Sequence, residues 1–283
     1  MPYAATIVAD SFGEQKIRLT TIEVTLPKMV VAEFNTHRTL SRNSASSRAI
    51  PVERILAAVQ SDPVIPEFGL NGPGMQAREV LGGEVAERAL SAWLAARDRA
   101  VVNAQAMLAA GVHKQVTNRL LEPWMFTTIV ATGDEDAWSW FFKLRCDPAA
   151  QPEIRTAAVM MRAVVEASTP REIGDRWHLP YIYDGDEWPL SDHLRERGID
   201  PLIHLDHFLA RLSAARCARI SYLRQHDPRP VEDELAMTDR LISMGHWSPL
   251  EHQARSRRHE TQVGNLSGWR QLRHYIGDGY GTV

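Results

Sequence analysis

IRLTTIEVTLPKMVVAEFNTHRTLSRNSASSR, residues 17–48, is the stretch on which the reading of this chain turns. Its first part, 17–27, alternates apolar and polar positions and is rich in β-branched residues. That pattern predicts a strand, ended by Pro27. Lys28 to Phe34 is a short apolar run that predicts one or two helical turns. These turns deliver the chain into a polar loop at 36–48, where arginines, His37 and several serines crowd together.

Outward from this stretch, residues 51–61 predict a short helix with Pro51 at its first position. Residues 62–83 hold Pro63, Pro66 and Pro73 with five glycines, a composition that predicts a long excursion or lid. A long helix is expected from Glu84 to Ala110, with Val85, Ala89, Trp93, Ala96 and Ala100 on its apolar stripe and Gly111 as its stop. Residues 125–132 predict a second strand, and 134–142 and 151–168 predict helices. Residues 171–200, rich in charge, proline and aromatics, read as a connecting segment. Helical patterns return at 202–219 and 230–244, the second bounded by Pro230 and Gly245. The fold class is α+β, mostly helical with a small antiparallel sheet, in one domain over 1–283.

Composition bounds the function. Hydrophobic residues make up 44% and charged residues 24%, as in a globular chain. A net charge of -3 and a pI near 6.4 give no long-range attraction for nucleic acid. Two cysteines, Cys146 and Cys217, fit a reducing, cytoplasmic setting better than a disulfide framework. No apolar run approaches the roughly 20 residues that cross a bilayer, and Met1 to Lys16 lacks the pattern of a signal peptide.

Three constellations carry chemistry. The loop at 36–48 offers planar arginine forks, hydroxyls and backbone N–H groups, a set that can surround phosphate; a solvated loop of turn formers is the alternative. Around 115–155, Arg119 precedes Glu122-Pro123, and Arg145 follows an apolar helix. There Arg145 either polarises a ligand carbonyl or makes an ordinary ion pair with Asp147 or Glu153. GHWSPLEH at 245–252 displays His246 just past a helix end. Its His and Glu spacing matches no strong zinc signature, so no metal is assigned.

Together the three resemble the flavin-dependent thymidylate synthases. The family's Arg-His-Arg, seven residues, Ser signature is matched by Thr36-His37-Arg38, seven residues, Ser46, then Arg48. LRCDPAAQPEI at 144–154, Arg119 before Glu-Pro, AARCARISY at 214–222 and GHWSPLEH match further family elements. The order is permuted: an element that precedes the signature in the family follows it here. The resemblance therefore implies a circular permutation, with 17–170 as the central and C-terminal family portion, 171–210 as a connection and 211–252 as the family's N-terminal portion. The tail 253–283 has no placed counterpart.

The resemblance implies FAD as cofactor, NADPH as reductant, methylenetetrahydrofolate as carbon donor and a homotetramer with active sites at subunit interfaces. It implies that His246, Ser248, Glu251, His37 and Arg38 hold the flavin. Glu33, Ser46, Ser47, Arg48, Arg119 and Arg145 would bind a uracil nucleotide, dUMP or UMP, with Arg145 and Ser46 catalytic. Thr36, Glu33, Ser44, Ala49, Asp134, Asp136 and Ala149 depart from the family pattern. Ala49, in place of a bulky tyrosine, opens volume that a ribose 2′-hydroxyl can use, as in a UMP/dUMP methylase of nucleoside-antibiotic pathways. The alternatives are a phage-type pyrimidine nucleotide hydroxymethylase and a non-catalytic relative that only binds nucleotide or flavin.

Overall fold

β1 (Ala4–Gly13) and β2 (Arg18–Pro27) pair antiparallel and open the chain. A 3-10 turn at Lys28–Val30 and α1 (Val31–Asn35) lead to β3 (Ser41–Ser44) and α2 (Val52–Ser61). After an arm come α3 (Gly83–Ala109), α4 (Lys114–Thr117), a 3-10 stretch at Asn118–Trp124 and β4 (Phe126–Asp134). Then follow α5 (Glu135–Arg145), α6 (Pro152–Ala167), β5 (Arg171–Gly174), β6 (Trp177–His178) and α7 (Glu187–Glu196). The last part holds α8 (Pro201–Arg219), α9 (Val231–Ser243), a 3-10 turn at Ser248–Glu251, β7 (Ala254–Ser256), β8 (Trp269–Gln271) and α10 (Leu272–Gly277). These elements come from a computed structural model that describes residues 3–77, 79–256 and 264–277. Parts of the tail, 257–263 and 278–283, lie outside the described residues.

The fold is α+β, as the sequence predicts. A five-stranded sheet runs in the order β3-β4-β2-β1-β5, antiparallel except where β5 joins β1. A small second sheet runs β6-β7-β8. Alternation along β2 divides the main sheet. Ile22, Val24 and Leu26 face α5 and α6, where Trp138, Phe141, Ile154, Ala157 and Met161 close the core. Phe141 is fully buried, so truncating it to Ala costs about 3–5 kcal/mol. Thr21, Glu23 and Thr25 face the other way; Thr21 is bonded to His178, Glu23 to Tyr181 and Thr25 to Thr128 of β4. A second cluster joins α2, α3 and the 3-10 stretch through Ile55, Leu56, Val101, Leu121 and Trp124.

Several expectations change. The 36–48 loop is not all loop: β3 pairs Ser41 with Thr132 and Asn43 with Val130. The 171–200 connection contains β5, β6 and α7. The start of the predicted α3 stripe, at Val85, is exposed, and the helix buries Val101 and Ala104 instead. Gly133 lets β4 approach Leu40, whose Cδ2 would lie 2.5 Å from any added Cβ. No helix among the described residues is long and apolar enough to cross a membrane.

Candidate active site

Arg145 ends α5, and the fold receives it fully. Its Nε donates to His37 Nε2 at 2.9 Å, and its Nη2 donates to Glu33 O and Thr36 Oγ1, both at 2.9 Å. The predicted alternative, an ion pair with Asp147 or Glu153, is absent. Asp147 instead accepts from Ala149 N and Glu153 from Gln151. Nη1 of Arg145 has no partner among the described residues. His37 sits edge-on to Phe141, 4.8 Å between ring centroids. Burial, then the charges of Arg145 and Arg42, push its pKa down to about 4. The imidazole is therefore neutral near pH 7 and can accept from Arg145 while keeping its proton on Nδ1. Thr36, which departs from the family pattern, takes part by accepting Arg145 and donating to Glu33 O at 2.7 Å.

A cavity of about 710 Å³ opens beside this group, lined by Glu33, Arg145, Lys143, Glu153, Arg155 and the arm between α2 and α3. The arm is the 62–83 excursion, and it is tied down. Val64 N donates to Trp124 O, Trp93 Nε1 to Val64 O and Glu67 N to Glu153 Oε1, all at 2.8–2.9 Å. Leu70 N to Glu79 O and Leu81 N to Phe68 O, both 2.8 Å, fold its far part back on itself. One carboxylate oxygen of Glu33, Oε2, is buried here without a partner among the described residues.

A second group gathers at the turn between β3 and α2. Ser47 Oγ and Arg119 Nη1 both donate to Glu122 Oε1 at 2.8 Å. Buried Asn118 holds the turn by donating to Ser47 O at 2.6 Å and Ile50 O at 3.0 Å. Half-buried Ser46 keeps its hydroxyl unpaired among the described residues. Arg48 is exposed and makes no hydrogen bond or ion pair to them. Lys28 joins this group: burial lowers its pKa, Glu122 opposes the shift and Arg119 adds to it. Sequence reasoning did not single out Lys28, Asn118 and Glu122, which the fold gathers with Ser47 and Arg119. The signal for the last two was their nearness to Arg119.

A third group brings 245–252 to β3. Gly245, at φ +70°, ends α9 in the left-handed turn that glycine favours, with His246 N donating to Leu241 O at 2.8 Å. His246 is then exposed. The Asn43 amide lies 3.3 Å from Ser248 Oγ and 3.0 Å from His252 Nε2, across 205 and 209 residues of sequence. His252 also meets Thr132 at 2.8 Å, so both its nitrogens are engaged and neither is open to a metal. Glu251 pairs with Arg273 of α10. Arg38 is exposed and unpaired among the described residues. Asp134 is a helix cap: Oδ1 accepts from Ala137 N at 2.9 Å and Oδ2 from Ser267 N at 2.7 Å.

The family model described as thymidylate synthase complementing protein matches residues 18–171, more than half of the chain. The chain belongs to this family. No curated protein matches it. Among solved structures it is similar to a UMP/dUMP methylase PolB from Streptomyces cacaoi. The form bound with 5-Br dUMP is 21% identical over 53% of this chain and 67% of that one, with a TM-score of 0.44. The form bound with 5-Br UMP is 18% identical over 59% and 89%, with a TM-score of 0.47. The family match covers the Arg145 group and the Ser46–Arg119 group. It ends before α8, α9 and the 245–252 element, which the fold itself carries back to β3.

Proposed function

We propose that the protein transfers a one-carbon unit to C5 of a uracil nucleotide, dUMP or UMP, using flavin, NADPH and methylenetetrahydrofolate. The observation that carries this reading is Arg145. Three of its N–H donors are satisfied by protein and orient the guanidinium, while Nη1 remains to face a ligand at the 710 Å³ cavity. As C5 of the base becomes nucleophilic, negative charge develops on the C4 carbonyl oxygen, and a preorganised cation there lowers the barrier. Glu33 lines the same cavity, and its carboxylate is an acceptor suited to the N3–H of the ring. Neutral His37 holds Arg145 without competing for its charge.

Ser46, Ser47, Arg48 and Arg119 suit the phosphate. Arg48 is a free fork, and the Ser46 hydroxyl is an unpaired donor. The flavin would be held by Arg38, His246, Ser248, Glu251 and His37. The residues fit it: a free guanidinium, an exposed imidazole and a hydroxyl backed by Asn43 suit a planar ring on an anionic diphosphate. When bound, it supplies the reducing electrons. Glu251, neutralised by Arg273, acts there as wall rather than charge. The permutation is supported by the docking of 245–252 on β3. The homotetramer follows from the family, and exposed Trp140 and Leu144 beside Arg145 offer apolar surface for it.

The test is product mass after incubation with FAD, NADPH, methylenetetrahydrofolate and either nucleotide. A methyl group gained by UMP as well as dUMP is the expected result, with Ala49 leaving room for the 2′-hydroxyl. A product heavier by one oxygen selects the hydroxymethylase. Bound flavin and nucleotide with no product selects the non-catalytic relative.

A further inference from the structure

Behind the 248–251 turn, side chains hydrogen-bond head to tail through the polar face of the sheet. Ser11 Oγ meets His178 Nδ1 at 2.9 Å, and His178 Nε2 meets Thr21 Oγ1 at 2.8 Å. Thr21 meets Thr132 at 2.7 Å, and Thr132 meets His252 Nδ1 at 2.8 Å. His252 Nε2 meets the Asn43 amide, which reaches Ser248. Ser11, His178, Thr21, Thr132 and His252 are all buried. Burial holds both imidazoles far below their usual pKa, at about 3, so each is neutral with one N–H and one bare nitrogen.

A neutral imidazole and a hydroxyl each donate once along such a chain, which leaves two self-consistent directions. In one, the Asn43 amide nitrogen donates to His252 Nε2, and both histidines carry their proton on Nδ1. In the other, the Asn43 oxygen accepts from His252, and both carry it on Nε2. The first satisfies more of Asn43: its nitrogen also reaches Arg42 O and Ser248 O at 3.1 Å, while its oxygen accepts from Ser248 Oγ at 3.3 Å.

We infer that these residues form one two-state unit whose direction sets whether Ser248 offers its ligand a lone pair or a proton. In the first direction the Ser248 proton is spent on Asn43, and a lone pair faces outward. In the second Asn43 donates to Ser248, and the proton faces outward. Reversal is balanced. The Asn43 amide turns over, one proton enters at His252 Nε2 from solvent as the 248–251 turn transiently opens, each proton between moves one place, and Ser11 releases one to solvent at the far end. The inference rests on the reading that Ser248 faces flavin, whose ring nitrogens accept when oxidised and gain N–H donors when reduced. The resting direction thus suits reduced flavin, and oxidised flavin selects the other. His252, Thr132, Thr21 and His178 are positioning residues in this scheme.

The test is 15N NMR of the histidine rings in the full chain, assigned with His178→Gln and His252→Gln. Both rings should be Nδ1–H in the free protein, convert together to Nε2–H with oxidised FAD, and return on reduction with dithionite. In Thr132→Val, or in Thr21→Val should the first not fold, His178 should stop following the flavin. Different tautomers on the two rings, a bound flavin whose reduction moves neither ring, or a His178 that still follows in the valine variants would overturn the inference. Matched tautomers with no FAD bound would instead overturn the placement of flavin at Ser248.

Discussion

Arg145 and Arg48 are both predicted to bind the same nucleotide, yet the fold treats them in opposite ways. Arg145 is fixed by His37, Glu33 and Thr36, whereas Arg48 is exposed and has no partner among the described residues. A group that must stabilise charge only as a reaction proceeds benefits from being fixed beforehand, because reorienting it costs free energy at the barrier. A group that captures a dianion can remain solvated until the ligand arrives. The difference separates a pre-set half of the proposed site from an open half, and each can be attacked alone.

The largest effect should come from the pre-set half. Arg145→Met is expected to lower kcat by about 100–1000-fold, the range for loss of one fixed charge-stabilising donor, while nucleotide affinity changes far less. Equal losses in kcat and affinity would place Arg145 in the open half. Arg48→Ala should weaken nucleotide binding about 10–100-fold, as for a charged hydrogen bond worth about 1.5–3 kcal/mol, and leave uridine or deoxyuridine binding unchanged. Titration calorimetry with both ligands decides between a phosphate role and a general one.

Acid probes the buried histidines behind both halves next. His178 and His252 fall to about 3 in the folded protein, against about 6.5 unfolded. Between these values the unfolded chain binds more protons, so stability rises with pH through that window and levels off above it. At pH 5 each histidine should cost about 2 kcal/mol relative to pH 7. Denaturant unfolding of His178→Gln and His252→Gln should show a shallower loss; an unchanged slope would mean that these rings accept protons when folded. The smallest effect concerns the arm. Glu153→Ala removes the acceptor of Glu67 N, a loss of about 1 kcal/mol, and should speed proteolytic cleavage within 66–81 while cleavage elsewhere stays as it was.

The residues that carry charge were easier to read from sequence than those that hold them. Arg48, Arg119, Ser46 and Arg38 stand in a motif whose residue types alone suggest an anion. Asn43, Asn118 and Glu122 act only through partners that the fold brings to them. β3, SRNS, contains no apolar residue, so periodicity cannot reveal it; pairing with β4 and bonds from its side chains make it a strand. β1 was missed for a related reason: its later residues Asp10 and Ser11 are polar, yet they are held inside by Arg18 and His178. By contrast β2, β4, α6 and α9 were legible, because one apolar face or a Pro–Gly frame defines each. The lid composition at 62–83 was legible too, but its clasp to Glu153 depends on a contact 86 residues away.

The most direct measurement is the absorbance spectrum of the purified protein with FAD, followed during addition of dUMP or UMP. The account predicts a retained flavin band that shifts with either nucleotide and no longer shifts in Arg145→Met at matched nucleotide occupancy. A protein that retains no flavin at any nucleotide concentration would contradict it.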